Sequence, residues 1–98
     1  PVSDGSLTDL VCHVRKPATV EAINARYKAL AEGKWNGILR YTEDPIVSVD
    51  IVGDPASCIL DAQLTSVIGN TVKIMGWYDN EYGYSNRLVD LLVLMGRK

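Results

Sequence analysis

The sequence predicts an α+β domain: a mostly antiparallel or mixed sheet with helices on one face. Three observations predict it. Residues 6–14 alternate, with Leu10, Cys12 and Val14 on one side and Asp9, Val11 and His13 on the other. That period of two marks a strand with one buried face. Residues 20–32 instead place Val20, Ile23, Tyr27 and Leu30 at helical spacing. The later apolar runs are short and separated by turn residues, so the order reads β-α-β-β-β-α with antiparallel-looking spacing.

Each element has a local reason. Lys16-Pro17 ends the first strand, and Thr19 is a suitable N-cap for the helix, with Glu21 in its first turn favoured by the dipole. Gly33 closes that helix. Residues 37–41 form a short apolar piece, a strand or a tight turn, and Asp44-Pro45 breaks the pattern. Residues 46–52 are rich in β-branched side chains and read as a second long strand. Gly53-Asp54-Pro55 turns the chain. Residues 58–64 follow as a third strand, in which a buried Asp61 needs a hydrogen-bonding partner. Gly69-Asn70 precedes a fourth strand over 71–77. The final helix is capped by Asn80, carries Tyr84, Leu88, Leu91 or Leu92, and Met95 on one stripe, and ends at Gly96-Arg97-Lys98. Gly83 in its first turns costs about 1 kcal/mol against alanine, which predicts a close approach to the backbone there or a distorted helix start.

Composition narrows the function. Ninety-eight residues make one small domain, and 47% hydrophobic residues suffice for a core. A net charge of −2 gives no electrostatic reason to expect nucleic acid or an acidic membrane surface. No apolar stretch is long enough to span a bilayer. Cys12 and Cys58 form neither a disulfide framework nor a CxxC unit. Buried free thiols in a reducing, cytoplasmic compartment are the leading reading, and a redox-sensing pair is a weaker one. No spacing fits a zinc site, a phosphate-binding loop or a GxGxxG turn. A chain that starts at Pro1 rather than Met reads as a fragment.

The densest chemistry lies at the last strand-to-helix junction, Trp77-Tyr78-Asp79-Asn80-Glu81-Tyr82-Gly83-Tyr84-Ser85-Asn86-Arg87. Asn80 has an acceptor and two donors, so it serves as a helix cap, as a ligand contact, or as both. Tyr84 lies one turn later on the same face, either beside a ligand or sealing an interface. Trp77, Tyr78 and Tyr82 read as packing, and Asp79, Glu81 and Arg87 as local ion pairs. His13 is the only histidine. Its neighbour Cys12 points to the opposite strand face, so the two make a poor catalytic pair.

That junction resembles the W-Y-D-N-E-x-G-Y-S-N-R motif of phosphorylating glyceraldehyde-3-phosphate dehydrogenases. The resemblance runs along most of the chain. Gly5–Leu10 is similar to the family's G-S-V-T-D-L, and Ala31-Glu32-Gly33 with Gly37–Glu43 to its A-E-G…G-I-L-x-Y-T-E. Ile46-Val47-Ser48 with Asp50, Asp54-Pro55 with Ser57, and Asp61-Ala62 follow its next strands. Ala56 and Cys58 depart from it, where many members carry His and Ser. The resemblance implies the C-terminal part of a catalytic domain, without a dinucleotide-binding domain. Asn80 would bond the nicotinamide carboxamide of NAD, and Tyr84 would pack beside the ring.

The same resemblance places the nucleophilic cysteine, the histidine base and the phosphate-gripping residues upstream, so no catalytic residue is expected in this segment. It implies oxidation of glyceraldehyde 3-phosphate to 1,3-bisphosphoglycerate in glycolysis by a cytoplasmic homotetramer. Tyr82 favours that substrate over erythrose 4-phosphate. The isolated segment is expected to be inactive. The rival from another class is a non-catalytic module that docks on intact subunits through its exposed sheet face.

Overall fold

The computed structural model describes residues 3–97, so the expectations on Pro1 and Lys98 lie outside it. Strand β1 (Ser6–His13) leads to helix α1 (Val20–Glu32), then β2 (Leu39–Thr42) and a single turn α2 (Ser48–Ile51). Strand β3 (Cys58–Asp61) runs into a 3-10 turn, Ala62–Leu64, followed by β4 (Ser66–Ile68), β5 (Thr71–Tyr78) and helix α3 (Tyr82–Gly96). The sheet order is β1-β5-β3-β2, with β4 also on β5. Only β2 and β3 run parallel; β5 is antiparallel to β1, β3 and β4. This is the expected α+β fold with a mixed, mostly antiparallel sheet.

Helix α1 has the expected bounds. Thr19 Oγ1 accepts from Ala22 N at 3.1 Å, and Gly33 ends the helix by donating to Ala29 O. Gly33 does so at φ −116°, outside the left-handed region. Ala22, Ile23, Tyr27 and Leu30 face Leu10, Cys12, Val72 and Ile74 of the sheet across an apolar recess of about 530 Å³. The opposite face is filled at one end by Ile51, Ala56 and Ile59, with Ile46 and Trp77 packed against them.

Two expected strands are corrected. Residues 46–52 form no strand: Asp50 Oδ2 reaches back to accept from Val47 N at 2.9 Å, winding the chain into α2. Gly53 follows at φ +82°, and Ile51, 1% exposed, anchors the turn in the core. Burial of one isoleucine and a carboxylate-to-amide bond thus override β-branched propensity. The third strand stops at Asp61, whose Oδ1 accepts from Gln63 N and starts the 3-10 turn. The partner required for a buried Asp61 is present, since its Oδ2 accepts from Trp77 Nε1 at 3.0 Å. Strand β4 was not anticipated. Its three residues are too few to show a period, and it forms through the Gly69-Asn70 turn, with Gly69 at φ +60°.

Helix α3 stands apart. Leu88, Leu91, Leu92, Val93, Leu94 and Met95 are all roughly half exposed. They include the single apolar stripe expected from spacing but extend beyond it, around most of the helix.

Candidate functional site

Asp79 organises the β5–α3 junction. Its Oδ1 accepts from Glu81 N and Tyr82 N, both at 2.9 Å, and its Oδ2 accepts from Gly53 N at 2.8 Å. Asp79, not Asn80, therefore caps α3, a correction to the sequence expectation. The Tyr82 and Gly53 amides, with that of Glu81, hold the Asp79 carboxyl at about 2, against an ordinary 3.8. It is a charged acceptor, and it makes none of the expected local ion pairs. Removal from solvent and the neighbouring Asp79 carboxylate instead raise the pKa of Asp4.

Freed from capping, the Asn80 side chain reaches across the chain. Its Oδ1 accepts from Gly5 N at 2.9 Å, seventy-five positions away. Because Gly5 offers a donor, the facing atom must be the amide oxygen, which fixes the orientation of the carboxamide. No described residue accepts from Nδ2. Asn80 and Tyr84 are brought together in one cleft of about 210 Å³, whose walls are completed by Ser57, Tyr78, Asp79 and Arg87. Tyr84 is 68% exposed and so does not seal an interface within this chain.

Three residues of that cleft were not expected there. Arg87 donates from Nη1 to Ser57 Oγ at 3.2 Å, and its Nε lies 3.0 Å from Asp90 Oδ2 in an ion pair without hydrogen-bond alignment. Spacing could have found Arg87, which follows Tyr84 by three positions on the same helix face. Tyr78, expected only to pack, lines the cleft as well, and Ser57 carries no local signal in the sequence. Trp77 does pack, against the Ile51 cluster. Tyr82 is half exposed and lines a separate recess with Asp4, Val52 and Gly53.

Gly83 explains itself structurally. A Cβ built there would come 2.7 Å from Ala56 O, so the close approach expected from the sequence is the backbone that leads into β3. The other reactive groups lie elsewhere. His13 Nδ1 sits 3.0 Å from Thr71 Oγ1, seven positions along β1 from the junction end, roughly 23 Å. Burial pushes the Cys58 thiol up, which disfavours a thiolate. Cys12 pairs with Val72, while the Cys58 sulfur lies against Gly76, so the two thiols lie roughly 13 Å apart along β5. That exceeds the reach of a disulfide and overturns the redox-pair reading. Among the described residues no group of His, Cys, Asp and Glu could hold a metal ion, and no helix is long and apolar enough to cross a membrane.

Fold and cleft together define an α+β domain segment whose β5–α3 junction sets an oriented carboxamide beside two phenols. Residues 1–80 match the family model described as glyceraldehyde 3-phosphate dehydrogenase, C-terminal domain, and the chain belongs to that family. It is 59% identical over 97 residues to the glyceraldehyde-3-phosphate dehydrogenase of Mycobacterium avium, covering 99% of this chain and 29% of that protein. A second enzyme of that name, from Streptomyces avermitilis, is 59% identical over 99 residues, covering 100% of this chain and 30% of its own. The chain therefore spans less than a third of the length of these relatives.

Proposed function

We propose that this segment belongs to the catalytic domain of an NAD-dependent, phosphorylating glyceraldehyde-3-phosphate dehydrogenase. In that enzyme it supplies the scaffold and the nicotinamide contact, and the nucleophile and base lie on other sequence. The carrying observation is the Asn80 carboxamide, held by Gly5 with its NH2 group free, beside Tyr84 and Tyr78. These residues suit a nicotinamide: an aromatic carboxamide is matched by an amide at its polar edge and phenols at its ring. At about 210 Å³ the cleft is smaller than the roughly 300–1,000 Å³ of a whole-ligand site, so the remainder of the dinucleotide is held elsewhere. NAD, when bound, would supply the hydride acceptor for oxidation of the aldehyde. The role of Asn80 and Tyr84 is to orient the ring, not to move protons.

The half-exposed apolar surface of α3 supports its packing against a cofactor domain, and exposed Leu7 and Val11 on the sheet support contacts in a homotetramer. The same sheet surface favours the second reading, a module that docks on intact subunits. The proposed setting is cytoplasmic glycolysis, with glyceraldehyde 3-phosphate as substrate and no activity in the isolated segment. The test is Asn80→Ala in the complete enzyme. Loss of one neutral hydrogen bond should weaken NAD binding about threefold to tenfold, with lower turnover. Unchanged NAD affinity and turnover would remove Asn80 from the site.

A further inference from the structure

We infer that Gly5 is a positioning residue for the cofactor contact, acting through Asn80; the inference rests on the reading of Asn80 given above. The Asn80 side chain is exposed and would otherwise sample both flips of its carboxamide. Among the described residues its partner is the Gly5 N–H, 2.9 Å from Oδ1. That bond selects the flip in which the oxygen faces Gly5 and the NH2 group is turned away from it, on a residue that lines the cleft. A ligand that needs this edge then meets it already oriented.

Only glycine presents the N–H in this way. Gly5 has φ +101°, which L side chains rarely adopt. A Cβ there would also sit 3.2 Å from Ile51 Cδ1 and 3.3 Å from Ser48 O. The chain before β1 is thus pressed against α2, and α2 is anchored by buried Ile51. Asp4 Oδ1 competes for the same N–H, also at 2.9 Å, so the amide proton is shared between a neighbouring carboxyl and the Asn80 oxygen.

The experiment is a double-mutant cycle for NAD binding in the complete enzyme that carries this segment. Gly5→Ala alone should weaken binding about threefold to tenfold, and should add almost nothing in an Asn80→Ala background. Gly69→Ala imposes comparable backbone strain at φ +60° in open space and should leave NAD binding unchanged. A folded Gly5→Ala enzyme with normal NAD affinity would overturn the inference, as would a Gly5→Ala effect that multiplies in full with Asn80→Ala. If Asn80→Ala is itself silent, the cofactor reading fails as well; if only Gly5→Ala is silent, that reading stands alone. Should Gly5→Ala fail to fold, amide exchange at Gly5 decides. In an Asp4→Ala enzyme, where the Asn80 amide is the remaining acceptor, adding Asn80→Ala should speed exchange about tenfold. No acceleration would overturn the inference.

Discussion

Gly83→Ala sets helix propensity against packing, and the structure says which prevails. By propensity alone, alanine within α3 should stabilise by about 1 kcal/mol. The added Cβ, however, would lie 2.7 Å from Ala56 O. An ordinary carbon–oxygen contact is about 3.3 Å, so roughly 0.6 Å must be found. Ala56 is 1% exposed in the Ile51–Ile59 cluster, and the opposing atom is backbone that cannot rotate aside. Overpacking of this kind costs about 1–3 kcal/mol, leaving a net loss of up to about 2 kcal/mol. Gly96, on the same helix with nothing within 4 Å, is the control: Gly96→Ala should be neutral or stabilising. Thermal midpoints of the two variants in the complete enzyme, with amide exchange along α3, should move in opposite directions. NAD affinity should also fall for Gly83→Ala, because Ser57, Tyr84 and Arg87 border the contact. A Gly83→Ala midpoint that rises like that of Gly96→Ala would refute the reasoning.

Two further outcomes follow from the junction and the thiols. Asp79 has a folded pKa depressed to about 2, so its contribution to stability is present above the unfolded value of 3.8 and is lost as pH falls toward 2. Asp79→Asn should therefore lower the unfolding midpoint at pH 6 by an amount that shrinks through that window, as read from midpoints of both proteins against pH. Asp4 has the opposite sign: its raised folded pKa gives a contribution present below 3.8 and lost as pH rises, so Asp4→Asn should stabilise at pH 6. Finally, mild oxidation followed by peptide mapping should give no Cys12–Cys58 cross-link, and Cys58 should react slowly with thiol reagents at neutral pH.

Secondary structure was legible where a single physical cause acted over a long window. Helix α1 was bounded correctly because Thr19, the apolar stripe and Gly33 all point to the same helix. Strand β1 showed through its period of two and β5 through the turn before it, although the expected buried face of β1 is not buried, Leu10 being 48% exposed. Residues 46–52 misled because tertiary burial of Ile51 and the Asp50–Val47 bond outweighed β propensity, and neither is visible in a local pattern. Asp61 shows the converse: its need for a partner was readable, but Trp77 as that partner was not. In the cleft, Asn80 and Tyr84 were found together as expected, while Ser57 arrives from a loop some thirty positions before Arg87, its bonding partner.

The junction works because two adjacent residues have their roles divided by geometry. Asp79 is buried and spends its carboxylate on three backbone amides, tying α3 and the Gly53 turn to the end of β5. Had Asn80 capped the helix, its oxygen would be committed to α3 and its orientation set by the helix start. With Asp79 in that role, the Asn80 oxygen is released to accept from Gly5, and Asn80 lines the cleft. Glycine stands at each tight point for a separate reason. Gly53 and Gly5 offer amides from positive φ, and Gly83 admits the Ala56 carbonyl. A side chain would clash with Ala56 at Gly83 and crowd α2 at Gly5, while at Gly53, where nothing lies within 4 Å, it would strain the backbone alone. The amide orientation is therefore a property of three chain segments, and substitutions far from Asn80 in sequence should reach the cleft through it.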